Sequence, residues 1–93
     1  MDLGINGRAA LVAASSAGLG YATAKALAES GCKTVISGRN EERLHKAAET
    51  IPNAIPIIGD VSTVEGSIQL VKQANDALGS SIEILVTNAG GPP

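Results

Sequence analysis

The sequence has almost none of the large aromatic residues that usually fill a protein core. Its 93 residues include no Phe or Trp, and Tyr21 is the only aromatic residue. Val, Ile, Leu and Ala must therefore fill any core, a composition that suits a buried parallel sheet covered by Ala-rich helices. Hydrophobic residues still make up 44% of the chain, which predicts one packed domain, or part of one, rather than disorder.

Three further absences exclude classes of protein. Cys32 is the single cysteine, so no intramolecular disulfide can form, and we interpret it as a small apolar core residue. No run approaches the about 18 apolar residues of a membrane span. Seven basic and nine acidic residues give a net charge of -2, without the clustered Lys and Arg of a nucleic-acid interface. We therefore expect a cytoplasmic protein with no nucleic-acid or membrane partner.

Short apolar runs alternate with helical patterns along the chain. The apolar and β-branched runs predict four strands, at residues 8–14, 33–37, 54–58 and 82–87. Between them, apolar residues recur at helical spacing and predict three helices. The apolar faces predicted for these helices consist, in chain order, of Leu19, Ala22, Ala26 and Leu27, of Leu44, Ala47, Ala48 and Ile51, and of Ile68, Val71, Ala74 and Leu78.

The predicted helices also carry end signals. Gly31 and Gly79 stand where the first and third helices should end. Asn40 is a good N-cap for the second helix. Ser62 and Glu65 have the spacing of a capping box at the start of the third helix.

The order β-α-β-α-β-α-β predicts the fold class. Right-handed crossovers and short connections make it an α/β fold, a doubly wound parallel sheet. Pro56 cannot donate to a sheet ladder, so the third strand should lie at an edge. The dinucleotide-binding (Rossmann) strand order 3-2-1-4 puts it there. We therefore predict the N-terminal portion of a Rossmann fold, with helices one and two on one face of the sheet and helix three on the other.

The segment between the first strand and the first helix has the features of a phosphate-binding loop. Gly18 and Gly20 permit close approach of a ligand, and the first helical turn supplies N–H groups and a positive dipole end. Ser15 and Ser16 add hydroxyl donors. An ordinary strand-to-helix turn is the alternative, because Thr23 leaves the G-x-G-x-x-G fingerprint incomplete. We predict that this loop binds the phosphates of a dinucleotide, through Ser15, Ser16, Gly18, Leu19 and Gly20.

The end of the second strand indicates which dinucleotide would bind. An acidic residue there would accept a hydrogen bond from the 2′-hydroxyl of NAD, and none is present. Arg39, followed by Asn40, can instead pair with a 2′-phosphate through charge-assisted hydrogen bonds. The alternative is a solvated arginine at the start of a helix. We predict NADP, with NAD as the less favoured cofactor.

Four motifs together resemble the short-chain dehydrogenase/reductase family, in order and over nearly the whole chain. Residues 14–20 resemble the family's T-G-x-x-x-G-x-G loop, and residues 37–40 resemble its NADP-selecting strand end. Residues 59–61, Gly-Asp-Val, resemble the family's segment that meets the adenine. Residues 87–90, Thr-Asn-Ala-Gly, resemble its N-N-A-G motif. Within this family, the chain resembles the 3-oxoacyl-acyl-carrier-protein reductases.

The resemblance implies further cofactor contacts. Asp60 would accept a hydrogen bond from the adenine amino group, with Val61 beside it, and helix capping is the alternative role for Asp60. Ala89 and Gly90 would bring the backbone close to the cofactor ribose. Asn88 would take part in the same contact, and a turn-forming role is its alternative.

The resemblance also implies catalytic groups, a Ser, a Tyr-x-x-x-Lys pair and an Asn, that come from later segments. Tyr21 and Lys25 have the Tyr-x-x-x-Lys spacing, but they lie on the first helix directly after the phosphate loop, so we assign no catalytic residue here. His45 has no second metal ligand nearby, and we interpret it as a solvated residue.

We therefore interpret residues 1–93 as an incomplete NAD(P)-binding domain that lacks its C-terminal half. The implied parent is an NADP-dependent carbonyl/alcohol oxidoreductase that transfers a hydride and forms a homo-oligomer. Its substrate class is open between 3-oxoacyl thioesters, sugars, steroids and small ketones. Two alternatives remain: a non-catalytic dinucleotide-binding module, or a doubly wound protein that binds another nucleotide, such as a methyltransferase.

Overall fold

The computed structural model describes residues 7–13 and 18–87 and contains the predicted sequence of strands and helices. The third and fourth strands begin one and two residues later than predicted. In chain order the elements are β1 (Ala9–Ala13), α1 (Gly18–Glu29), β2 (Lys33–Gly38), α2 (Glu41–Glu49), β3 (Ile55–Ile58), α3 (Val64–Leu78) and β4 (Ile84–Thr87).

The four strands form one parallel sheet with the order β3-β2-β1-β4, which confirms the predicted topology. Pro56 pairs with Ile36 of β2 on an edge strand, where its missing N–H costs no ladder hydrogen bond. The chain crosses from β3 at one edge to β4 on the far side of β1. The strand order therefore reverses between β1 and β4, the kind of switch point at which open α/β sheets bind ligands.

Helices cover both faces of the sheet, as predicted. Leu11 and Val35 pack in the cluster on the α3 face, while Val12 and Ile36 pack in the cluster with α1 and α2. Because both faces are covered, all five residues of β1 are buried, and the strand is apolar without alternation. On α2 the predicted face is confirmed, with Leu44 buried in this second cluster.

The face predicted for α1 is only partly right, because Leu27 packs on the cluster with α1 and α2 but the two alanines of the predicted face do not. Ala22 and Ala26 are exposed, while Ala24 and Ala28 are buried against the sheet. Alanine lies on several sides of this helix, so its spacing gives little contrast between the sides. The positions that approach the sheet most closely are decided by tertiary packing.

The face predicted for α3 is only half right. Ala74 and Leu78 are buried as predicted, but Ile68 is 62% exposed and Val71 is also exposed. The third buried residue is Leu70, which is 2% exposed and packs in the cluster with β1 and β2. Aliphatic residues occupy two sides of α3, so hydropathy alone could not identify the side that faces the sheet.

Three of the four predicted helix end signals are confirmed and one is wrong. Gly31 lies two residues beyond the end of α1 with a φ of 94°. Asn40 caps α2, because its side-chain oxygen accepts from the Arg43 N–H at 3.0 Å, and Gly79 ends α3 with a φ of 70°. The N-cap of α3 is Thr63, whose hydroxyl accepts from the Gly66 N–H at 2.9 Å, so the predicted capping box does not form. Ser62 instead hydrogen-bonds Asp60.

Cys32 is buried, as predicted for a small core residue, and burial raises the pKa of its thiol. Among the described residues, no helix combines the length and apolarity needed to cross a membrane.

The corrected face of α3 predicts a sharp contrast between two neighbouring aliphatic residues. Leu70→Ala removes a buried side chain and should lower the free energy of unfolding by about 2 to 5 kcal/mol. Ile68→Ala, the matched control, should change it by no more than about 0.5 kcal/mol, because Ile68 is mostly exposed. Urea denaturation followed by circular dichroism measures both values. An equal loss in the two variants would contradict the described packing.

Candidate functional site

The carboxyl ends of the four parallel strands meet at one edge of the sheet, and the predicted cofactor residues follow these ends. α1 begins at Gly18, beyond the end of β1, so its N-terminal N–H groups and positive dipole end lie at this edge. Gly18, Leu19 and Gly20 form the first turn of this helix, and Gly20 is buried. Ser15 and Ser16 lie outside the described residues.

The end of β4 lies beside the end of β1. Thr87 pairs with Ala13 in the parallel register, so the chain leaves β4 next to the segment that leads into α1. Asn88, Ala89 and Gly90 follow directly and lie outside the described residues.

The ends of β2 and β3 are joined by a hydrogen bond just beyond the paired region. The Gly59 N–H donates to the Gly38 carbonyl oxygen at 3.1 Å. The space there is tight, because a Cβ on Gly59 would come within 3.1 Å of the Leu70 side chain. Arg39 and Asp60 are the next residues on the two strands, so this contact brings the predicted 2′-phosphate and adenine residues to the same corner of the sheet.

Arg39 and Asn40 form the connection from β2 into α2. The Asn40 side-chain oxygen is used in the helix cap, which leaves its amide NH₂ group as the donor. Arg39 is exposed, and its positive charge contributes to a lower pKa of Asp60. Arg39 and Asp60 thus follow joined strand ends and interact electrostatically.

Asp60 is held by its neighbour Ser62. One carboxylate oxygen, Oδ1, accepts from the Ser62 hydroxyl at 2.6 Å and from the Ser62 backbone N–H at 2.9 Å. These hydrogen bonds lower the pKa of the Asp60 carboxyl, the hydroxyl most and the backbone N–H next, and Arg39 adds a smaller lowering. Asp60 is therefore an ionised, hydrogen-bond-accepting group at neutral pH.

The turn that carries Asp60 is fixed against the start of α3. The Ser67 hydroxyl donates to the carbonyl oxygens of Thr63, at 3.0 Å, and Val61, at 3.4 Å. A Cβ on Gly66 would collide with the Asp60 carbonyl oxygen, so only glycine permits this close approach. The Val61 side chain is half-buried and packs on the α3-side cluster.

Sequence reasoning missed the residues that support this turn, namely Ser62 in its observed role, Thr63 and Gly66. A signal was present in the spacing Asp60-x-Ser62, which is typical of a side chain that hydrogen-bonds the backbone two residues later. This pattern competes with the Ser62-x-x-Glu65 capping pattern, since both use the Ser62 side chain. In the structure, Ser62 hydrogen-bonds the Asp60 carboxylate.

Other candidate residues have structural roles. The Tyr21 hydroxyl hydrogen-bonds the Thr50 hydroxyl at the end of α2, and the Tyr21 ring packs on the core, away from any catalytic role. His45 is exposed and 3.9 Å from Glu41 on the same helix. Within residues 7–13 and 18–87, no group of three His, Cys, Asp or Glu side chains could hold a metal ion.

A surface depression of about 400 Å³ lies at the opposite edge of the sheet. Its lining includes Lys33 and Ile55, the first residues of β2 and β3, together with Cys32 and Pro52. It is therefore remote from the strand ends that carry the predicted cofactor residues.

Comparison with known proteins identifies the family. The family model described as short chain dehydrogenase matches residues 8–93. The chain belongs to the short chain dehydrogenase family. The match includes the strand ends at which Arg39 and Asp60 lie.

Relatives with this fold are oxidoreductases. Glucose 1-dehydrogenase of Gluconobacter oxydans (strain 621H) is 36% identical over 89 residues, which cover 90% of this chain and 33% of that protein. The uncharacterized oxidoreductase YvaG of Bacillus subtilis (strain 168) is 32% identical and covers 97% of this chain. The crystal structure of a short-chain type dehydrogenase/reductase from Mycobacterium marinum superposes with a TM-score of 0.88 at 31% identity, covering 96% of this chain and 37% of that one. The chain thus spans about a third of the length of these relatives.

The lowered pKa of Asp60 gives the stability of the fold a pH dependence of definite sign. The folded-state pKa lies below the unfolded value of about 3.9, so ionised Asp60 stabilises the fold above that pH. The contribution is lost as the pH falls through the folded-state pKa. We expect the stability advantage of the unsubstituted chain over Asp60→Asn to be constant from about pH 7 to 5 and to shrink below about pH 4. Urea denaturation at each pH measures it, and an advantage that grows toward acid pH would contradict the Ser62 hydrogen bonds.

Proposed function

We propose that this chain holds NADP at the carboxyl edge of its sheet, as the cofactor-binding part of an oxidoreductase that interconverts carbonyl and alcohol groups. Family membership supports the binding of a nicotinamide dinucleotide. The choice of NADP over NAD rests on the position of Arg39. When bound, the nicotinamide would supply or accept the hydride.

The residues at the edge fit such a cofactor. The N-terminus of α1 offers backbone N–H groups and a positive dipole end for the pyrophosphate, beside the strand-order reversal between β1 and β4. Ser15, Ser16, Gly18, Leu19 and Gly20 would form this contact. Asn88, Ala89 and Gly90, which follow the adjacent strand, would contact the ribose on the nicotinamide side.

The opposite corner fits the adenosine half. Arg39 is exposed at the end of β2, and it precedes the N-terminus of α2, which favours an anion. Its guanidinium would pair with the 2′-phosphate, with the Asn40 amide as a second donor. Asp60 and Val61 on the neighbouring strand end would contact the adenine.

Hydride transfer is proposed for the whole protein on the strength of the family. Carbonyl reduction in this family requires a Tyr acid and a Lys that lowers the pKa of that Tyr, and the described part of the chain contributes binding and orientation instead. In this proposal, residues 1–93 bind and orient the cofactor.

The preference for NADP is tested by removing the Arg39 charge. Arg39→Ala should weaken NADPH binding by about 1.5 to 3 kcal/mol, the cost of losing a charged hydrogen bond, and leave NADH binding nearly unchanged. Lys46→Ala, which removes one positive charge farther along α2, is the matched control and should change neither affinity. Isothermal titration calorimetry measures these affinities.

Two outcomes would contradict the proposal. Equal losses for NADPH and NADH in Arg39→Ala would reject the 2′-phosphate contact. Binding of S-adenosylmethionine by the unsubstituted chain, without binding of either dinucleotide, would favour a different nucleotide-binding function.

Hydride transfer has a test of its own in the gene. If the proposal is correct, the reading frame beyond codon 93 encodes a Ser followed by a Tyr-x-x-x-Lys pair. Sequencing of that region provides the measurement, and the absence of these residues would contradict the enzymatic part of the proposal while leaving NADP binding intact.

A further inference from the structure

Asp60 lies on a surface turn. Only one of its two carboxylate oxygens accepts hydrogen bonds from the described residues. Both hydrogen bonds from Ser62 go to Oδ1. Among the described residues, no donor contacts Oδ2, and no ion pair joins Asp60 to Arg39. The carboxylate is thus held at one oxygen and open at the other.

The two donors of Ser62 act on the carboxylate in different ways. The backbone N–H fixes the position of Oδ1. The hydroxyl donates its only proton to the same atom, with 2.6 Å between the hydroxyl oxygen and Oδ1. A side chain held in this way loses little conformational entropy when a ligand binds, so the contact made by Oδ2 is preorganised. Without the Ser62 hydroxyl, the backbone N–H alone would hold Asp60, and the carboxylate would have more freedom to turn toward the charge of Arg39.

The support for Ser62 is itself rigid. Ser62 precedes the N-cap Thr63, whose hydroxyl accepts from Gly66, and the backbone of Gly66 lies against the Asp60 carbonyl. The segment from Asp60 to Thr63 is therefore fixed to the first turn of α3.

We propose that Ser62 is a positioning residue that presents Asp60 Oδ2 to the ring substituent at purine position 6, so that the site selects a 6-amino over a 6-oxo purine dinucleotide. This inference rests on the proposed function. An ionised carboxylate only accepts hydrogen bonds, so it pairs with the amino group of adenine. The 6-oxo group of hypoxanthine is also an acceptor and would face the carboxylate without a proton between them. A fixed acceptor rejects such an analogue far better than a mobile one, because it cannot turn away.

The test compares NADPH with reduced nicotinamide hypoxanthine dinucleotide phosphate, which has an oxo group in place of the 6-amino group of the purine and a proton on the adjacent N1. Isothermal titration calorimetry on the full chain gives the ratio of the two dissociation constants. We expect the unsubstituted chain to prefer NADPH by roughly tenfold or more, as for one charged hydrogen bond. Ser62→Ala should reduce this ratio at least about threefold, and Asp60→Ala should bring it close to one.

Two variants separate positioning from general structure. Ser62→Thr keeps the hydroxyl and should restore the ratio, whereas Ser81→Ala removes an exposed serine elsewhere and should not change it. Thermal denaturation of each variant confirms that it folds. A purely structural role for Ser62 would weaken both dinucleotides equally and leave the ratio unchanged.

The outcomes are distinct. An unchanged ratio in Ser62→Ala together with a collapsed ratio in Asp60→Ala would overturn the role of Ser62. An unchanged ratio in both variants would overturn the contact between Asp60 and the purine, while NADPH binding still stood. Failure of the unsubstituted chain to bind either dinucleotide would overturn the proposed function and this inference with it.

Discussion

The burial of β1 between β2 and β4 is the constraint on which the other features of the structure depend. Its five residues are at most 1% exposed, and three of them are alanine. Small side chains let the helices on both faces approach the sheet closely. Because β1 pairs in parallel with both neighbours, the chain must return to the same edge after each crossover helix, and the strand ends that carry function are gathered there.

The fold could be predicted from the sequence because its signals agree with one another. The alternation of strand and helix patterns, the proline in the third strand and the end signals at Asn40 and Gly79 all support one topology. The faces of α1 and α3 could not be predicted in this way. Alanine on several sides of α1, and aliphatic residues on two sides of α3, leave the choice of face to packing against the sheet.

Some features of the candidate site could likewise be predicted from the sequence, and others could not. The topology alone predicts that Arg39 and Asp60 follow neighbouring strands, and the hydrogen bond between Gly59 and Gly38 confirms that their strand ends are joined. The role of Ser62 could not be decided from the sequence, because two local patterns compete for its hydroxyl. It can donate to Asp60 or, in a capping box, accept from the Glu65 N–H. Gly66 gives no signal in the sequence either, because the need for glycine arises from the approach of α3 to a carbonyl oxygen of another segment.

The contact between Tyr21 and Thr50 has a practical consequence for experiments on this protein. With no other aromatic residue in the chain, all of its intrinsic fluorescence comes from one ring, located between α1 and the end of α2. A change in that emission can be assigned to one contact without any engineered label.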